Sequence, residues 1–142
     1  MEYLDLLSVP YKLHGRMPRG LDCSTVCEEV LNRLGLSPPP TSPFRYPASA
    51  GELGEFEKYM MEASARMERL GRCISLATKP GDLVLTASHQ NRGMYVYVGD
   101  NLFLTAQPRV GVSAHSRSAI QRTKPKVLGV YRCAATEHLA TS

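Results

Sequence analysis

The chain has 142 residues, 43% hydrophobic and 21% charged, with a formal net charge of +4. That length and apolar content suffice to bury one domain's core without disulfides. The four cysteines are too few and too unevenly spaced for the framework of a small secreted scaffold, so reduced thiols are expected. No segment is long and apolar enough to span a membrane, and the acidic start Met1-Glu2-Tyr3-Leu4-Asp5 does not have the basic and apolar regions of a signal peptide.

A short helix is expected around Tyr3 to Leu7, leading through Pro10 and Gly15 to the run Arg19-Gly20-Leu21-Asp22-Cys23-Ser24. Cys23, Val26, Cys27, Val30, Leu31 and Leu34 then recur at helical spacing as far as Gly35, a natural stop. Cys23 falls in the first turn, where unpaired N–H groups and the helix dipole favour a thiolate and pull its pKa below the free value of roughly 8.5. The competing reading is a small buried core residue. Residues 37–47, rich in proline from Pro38 to Pro47, fit neither helix nor central strand and are expected to form an extended surface loop. Ser49 and Glu52 form a capping box, and Leu53, Phe56, Met60, Ala63, Met67 and Leu70 follow at helical spacing as core packing.

From Cys73 the period changes to two. Cys73 to Ala77, Leu83 to Thr86, Met94 to Val98, Leu102 to Ala106 and Val127 to Cys133 read as strands, separated by Pro80-Gly81-Asp82, Gly99-Asp100-Asn101 and Pro108. Helices followed by strands, with connections too short for crossover helices, predict an α+β fold. The helices would pack on an antiparallel sheet of about five or six strands, with the first turn of the Cys23 helix open to a cleft. One domain is expected over residues 1–134, followed by a flexible tail over 135–142.

Charge divides unevenly, with a net of −1 over residues 1–78 and +5 over residues 79–142. Arg109, Arg117, Arg122, Lys124, Lys126 and Arg132 are dispersed, which fits a solvated face or an acidic protein partner. No nucleic-acid motif accompanies them and the chain has no Trp to stack on bases, so no nucleic-acid partner is expected.

The order Pro10-Tyr11, Gly15, Gly20-Leu21-Asp22-Cys23-Ser24, Pro80-Gly81-Asp82-Leu83-Val84, Tyr97-Val98-Gly99-Asp100 and Phe103-Leu104-Thr105-Ala106 resembles the NlpC-type cell-wall cysteine peptidases, a papain-like family. The resemblance covers roughly residues 3–133. His14-Gly15-Arg16, the Gly-Leu-Asp-Cys run and the start without a signal peptide are similar to the branch carried by tailed bacteriophages and gene-transfer particles. The resemblance implies hydrolysis of amide bonds in peptidoglycan stem peptides, with Cys23 as nucleophile, Tyr11 helping to hold the oxyanion and Asp22 preceding the nucleophile. It implies no cofactor and no metal. Its implied partners are tail-tip or baseplate proteins and peptidoglycan, its implied location the virion tail.

Two positions depart from that pattern. The histidine that serves as general base falls at Gly93, and the residue that orients it falls at Thr105, which can accept a hydrogen bond but cannot act as an imidazole. Thr25 also stands where a glycine usually follows Cys-Ser, next to Ser24. His89, in Ser88-His89-Gln90-Asn91-Arg92, is the substitute base if a loop folds it back to Cys23. His14, His115 and His138 read as solvated. A four-thiolate zinc or iron–sulfur site from Cys23, Cys27, Cys73 and Cys133 is a third reading, weakened by the absence of any Cys-x-x-Cys pair. The resulting expectation is a degenerate module with a structural or binding role in a tail tip or baseplate, or else an active endopeptidase using Cys23 and His89.

Overall fold

The computed structural model describes residues 1–36, 67–87 and 92–133. The proline-rich loop, the capping box at Ser49, most of the helical stripe that follows it, His89 and the tail lie outside the described residues.

The fold is α+β. Helix α1 (Cys23–Arg33) is followed by β1 (Met67–Gly71), β2 (Leu83–Ala87), β3 (Arg92–Gly99), β4 (Leu102–Gln107), β5 (Gly111–Ser116), the short helix α2 (Arg117–Arg122) and β6 (Lys126–Cys133). The strands form one six-stranded sheet in the order β1-β6-β2-β3-β4-β5, antiparallel at every junction. β3 and β4 are joined by Asp100 and Asn101, both at positive φ (52° and 61°), a two-residue turn whose twist matches that of the strands.

Local chemistry sets both ends of α1. The Asp22 side chain accepts from the Ser24 and Thr25 amides while Thr25 Oγ1 accepts from the Asp22 amide, a closed capping box. At the other end Gly35 takes φ 71°, and the Leu36 and Gly35 amides bond back to the Leu31 and Asn32 carbonyls, the pairing of a Schellman stop.

Alternation along the strands gives the sheet two faces. Leu83, Leu85, Met94, Val96, Leu104 and Ala106 meet Val26, Cys27, Val30 and Leu31 of α1 on one face. Each large side chain fully buried there contributes about 1.5–3 kcal/mol. Ile74, Ala77, Val84, Phe103, Ile120 and Val130 form the core of the other, bordered by Tyr95 and Tyr97. Near the C-terminal end of α1, Leu31, Leu34 and Leu36 surround Gly81 at the start of β2. Cys23 therefore lies towards the opposite end of the sheet, where β2 finishes and β3 begins.

Three expectations are corrected. Residues Cys73 to Ala77 are not a strand: Ile74–Leu76 form a 3-10 turn, because the Arg117 guanidinium takes the Ile74 and Ala77 carbonyls while lying over the Tyr97 and Phe103 rings. Met67 and Leu70 belong to β1 rather than to a helix, since Met67, Glu68 and Arg69 pair with Cys133, Arg132 and Tyr131. His115 is not in a solvated segment but on β5, opposite Phe103.

The connection into β2 depends on Asp82, which is 1% exposed. Its carboxylate accepts from the Thr78 and Lys79 amides and from Arg132 Nε and Nη2 on β6. Asp82→Ala strands these donors and is expected to lower stability by about 3 kcal/mol in urea unfolding, with Asp82→Asn recovering part of the loss. An unchanged urea midpoint for Asp82→Ala contradicts this account.

Candidate active site

The loop before Cys23 is pinned to the helix start. Tyr11 bridges Leu21 in parallel, with the Leu21 amide bonded to the Pro10 carbonyl and the Lys12 amide to the Leu21 carbonyl. The loop closes tightly enough that a Cβ at Gly15 would lie 2.3 Å from the Gly20 carbonyl oxygen, so no larger residue fits. The Asp22 carboxylate, fully buried, accepts from the His14 amide at 2.7 Å and from the Ser24 hydroxyl at 2.8 Å besides its two capping bonds. Thr25 is thus not merely a branched intruder beside the nucleophile. Its hydroxyl completes the cap.

Cys23 stands in the first helical turn, as its sequence position indicates. That turn is less open than expected: Cys23 is 7% exposed, Ser24 0% and Thr25 3%. Charge at Cys23 is felt by three neighbours. The Tyr11 phenol is pushed up by burial, then by Cys23 and Asp22. Tyr95 is pushed up by burial, then by Cys23. Cys27, wholly buried one turn along α1, is raised by desolvation first and by the same charges after it. Tyr11 and Tyr95 therefore share the electrostatic surroundings of Cys23, one from the loop and one from β3.

Gly93 lies on β3 opposite Thr86. Thr105 lies on the adjacent β4, 2% exposed, with its hydroxyl donated to the Met94 carbonyl at 2.8 Å. By alternation Gly93, Tyr95, Thr105 and His115 share the face turned away from α1, whereas Cys23 packs with the α1 face. His115 is half-buried, its Nε2 2.7 Å from Ser113 Oγ and its ring edge-on to Tyr95. Burial pulls the His115 pKa down, which keeps the ring neutral at neutral pH. Sequence reasoning missed Tyr95, Ser113 and His115. The signal was the alternation Val112-Ser113-Ala114-His115, in which the second set is polar yet half-covered.

A model of the NlpC/P60 family matches residues 8–129, spanning the Tyr11 loop, α1 and the strands that carry Gly93 and Thr105. The chain belongs to the NlpC/P60 family. No curated protein matches the chain significantly. Within an NlpC/P60 domain, Cys23 at a helix start beside a sheet is the arrangement that suits a nucleophilic thiol, and Tyr11 is close enough to respond to its charge.

Glu28, one turn below the loop, reaches Arg16 at 3.5 Å, and its Oε2 is buried without a hydrogen bond. Desolvation raises its pKa against the pull of Arg16. Among the described residues no group of three or more His, Cys, Asp or Glu could hold a metal ion. The four-thiolate reading also fails on placement: Cys73 is exposed beside the turn that covers the far face, whereas Cys23, Cys27 and Cys133 are buried on the α1 face. No described helix is long and apolar enough to cross a membrane.

The thiols differ in a way that alkylation reads directly. Cys73 is exposed, and a hydrogen bond shared with Ser75 Oγ at 2.9 Å lowers its pKa. Burial pushes Cys133 up to about 12 and raises Cys27 as well. Iodoacetamide at neutral pH should label Cys73 readily and leave Cys27 and Cys133 untouched until denaturant is added, as followed by peptide mass spectrometry. Labelling of Cys27 at the rate of Cys73 in the folded protein contradicts the burial described.

Proposed function

We infer that this NlpC/P60 module has kept the frame around Cys23 and given up the sheet-borne histidine, and that it serves as a structural or peptide-binding part of a phage-like tail tip or baseplate. What supports the loss of catalysis is that the positions the family resemblance gives to the base and its orienting residue are Gly93 on β3 and Thr105 on β4, and neither is an imidazole. Without a general base, acylation of Cys23 falls by about 10² to 10⁴. The fold persists because core patterning and site chemistry are separate demands. The tail assignment is supported by the similarity of the His14-Gly15-Arg16 loop and the Gly-Leu-Asp-Cys run to the phage-borne branch. In that setting the module binds peptidoglycan stem peptides above Cys23.

A second reading is an active endopeptidase with His89 as the base. It is favoured by connectivity, since the link that carries His89 leaves β2 at Ala87 and returns at Arg92, the end of the sheet where Cys23 lies. The two readings separate in one assay. At neutral pH the wild-type chain should release amines from peptidoglycan no faster than Cys23→Ala does. Turnover well above that control, abolished by His89→Ala, establishes the second reading instead.

Placement in a particle is tested separately. Deleting residues 38–43 from the proline-rich segment should leave the chain folded by circular dichroism but absent from assembled particles. The interface lost would be on the order of 1,000 Å² or more. Particles that assemble normally without the chain, together with a wild-type chain that copurifies with no tail or baseplate protein, remove the structural assignment.

A further inference from the structure

On β5, at the rim of the sheet, Ser113 and His115 are two residues apart and so project from the same face. Ser113 Oγ stands 2.7 Å from His115 Nε2, within the roughly 2.6–3.2 Å that proton transfer from a hydroxyl to an imidazole needs. With the ring proton on Nδ1, the hydroxyl donates to Nε2. The ring is also held: Tyr95 of β3 meets it edge-on with centroids 6.2 Å apart, and Phe103 of β4 is its strand partner. Both residues are half-buried, sheltered without being sealed. Burial keeps the His115 ring neutral at neutral pH, the state in which Nε2 can accept a proton.

The strand edge supplies a third group. Val112 donates its amide to the Val9 carbonyl and accepts from the Ser8 amide, so its backbone groups turn away from β4. In an antiparallel ladder that orientation repeats at every second residue, which turns the Ala114 amide outward as well. Ala114 is exposed. Its N–H follows Ser113 directly in the chain, the place from which a backbone donor holds the oxygen of an acyl group attacked by the preceding residue. These groups are separate from Cys23, which packs with the α1 face.

We propose that Ser113 and His115 form a second nucleophilic site, a hydroxyl–imidazole pair that hydrolyses small carboxylic esters with the Ala114 amide as oxyanion donor. His115 Nε2 takes the Ser113 proton as Oγ bonds to the ester carbonyl carbon. The bond from that carbon to the alcohol oxygen then breaks, and the alcohol leaves with the proton from Nε2. Water next gives a proton to Nε2 while its oxygen adds to the acyl carbon. Ser113 Oγ departs with that proton and the carboxylic acid is released. Among the described residues no carboxylate is bonded to His115, so the imidazolium gains none of the support that the acid of a triad gives. Esters, whose alcohol leaves more readily than an amine, are therefore the substrate class.

The full chain and diisopropyl fluorophosphate test the nucleophile, since an activated serine displaces fluoride and keeps the phosphoryl group. At neutral pH, peptide mass spectrometry should find Ser113 modified about 10²-fold faster than Ser118, an exposed serine of α2 whose hydroxyl faces only that of Ser116. His115→Gln should bring Ser113 down to the rate of Ser118. Turnover of p-nitrophenyl acetate, measured in a Cys73→Ser chain to remove the exposed thiol, should fall about 10²-fold in Ser113→Ala. Should a variant unfold, the wild type decides through pH. The residues against His115 are Tyr95, protonated in this range, and the uncharged Phe103, while Arg117 of α2 adds positive charge over the Phe103 ring. Modification of Ser113 should therefore persist to a pH below the ordinary imidazole value of roughly 6.5 and then fall. Ser113 modified no faster than Ser118, ester turnover that survives Ser113→Ala, or a rate that does not follow an imidazole overturns the proposal.

Discussion

A single buried carboxylate organises the ground around Cys23. Asp22 caps α1 through the Ser24 and Thr25 amides, takes the Ser24 hydroxyl, and reaches across to the His14 amide of the preceding loop. Two segments that would otherwise move independently are thereby fastened at one point, with Cys23 next in the chain and Tyr11 bridged to Leu21 alongside. Removing an N-cap costs about 1 kcal/mol in an ordinary helix. Here the same group also satisfies a loop amide, so helix start and loop are one cooperative unit.

The sheet serves two purposes on its two faces. Towards α1 it offers aliphatic side chains and buries them almost completely, which fixes the helix axis and hence the position of Cys23. On the far face the packing is mixed. Arg117 bridges the 3-10 turn to the Tyr97 and Phe103 rings, and Tyr95 and His115 stand edge to face beside them. Polar groups on that face have partners in neighbouring strands, so they are tolerated at partial burial. This is also the face that carries Gly93 and Thr105. Changes of side chain there leave the α1 core intact.

Thr86, Gly93 and Tyr95 form one packed set. A Cβ at Gly93 would stand 2.7 Å from Thr86 Oγ1, so an imidazole there has to displace the Thr86 side chain, and the Thr105 hydroxyl donates to the Met94 carbonyl. A larger side chain introduced at Gly93 therefore meets steric resistance from Thr86.

Much of the frame was legible from local signals. The apolar stripe of α1 and Gly35 specify that helix within a dozen neighbouring residues, and the alternation of Met94 to Val98 and the Gly99-Asp100-Asn101 turn specify the β3–β4 hairpin. The position of Cys23 at the start of α1 was legible for the same reason, since it depends on a residue type at a place marked by nearby motifs. What the tertiary structure alone decided involves partners far away in the chain. Met67 and Leu70 fit helical spacing, and the pairing of Met67, Glu68 and Arg69 with β6 makes them strand residues instead, on opposite faces of the sheet. Ile74 to Leu76 turn instead of extending because Arg117, some forty residues on, takes the flanking carbonyls. His115 reads as solvated until Tyr95 meets its ring edge-on, and Tyr95 is a strand tyrosine like any other until the fold sets it beside Gly93. Periodicity and capping are written in adjacent residues, whereas burial and electrostatic coupling exist only once distant strands have paired.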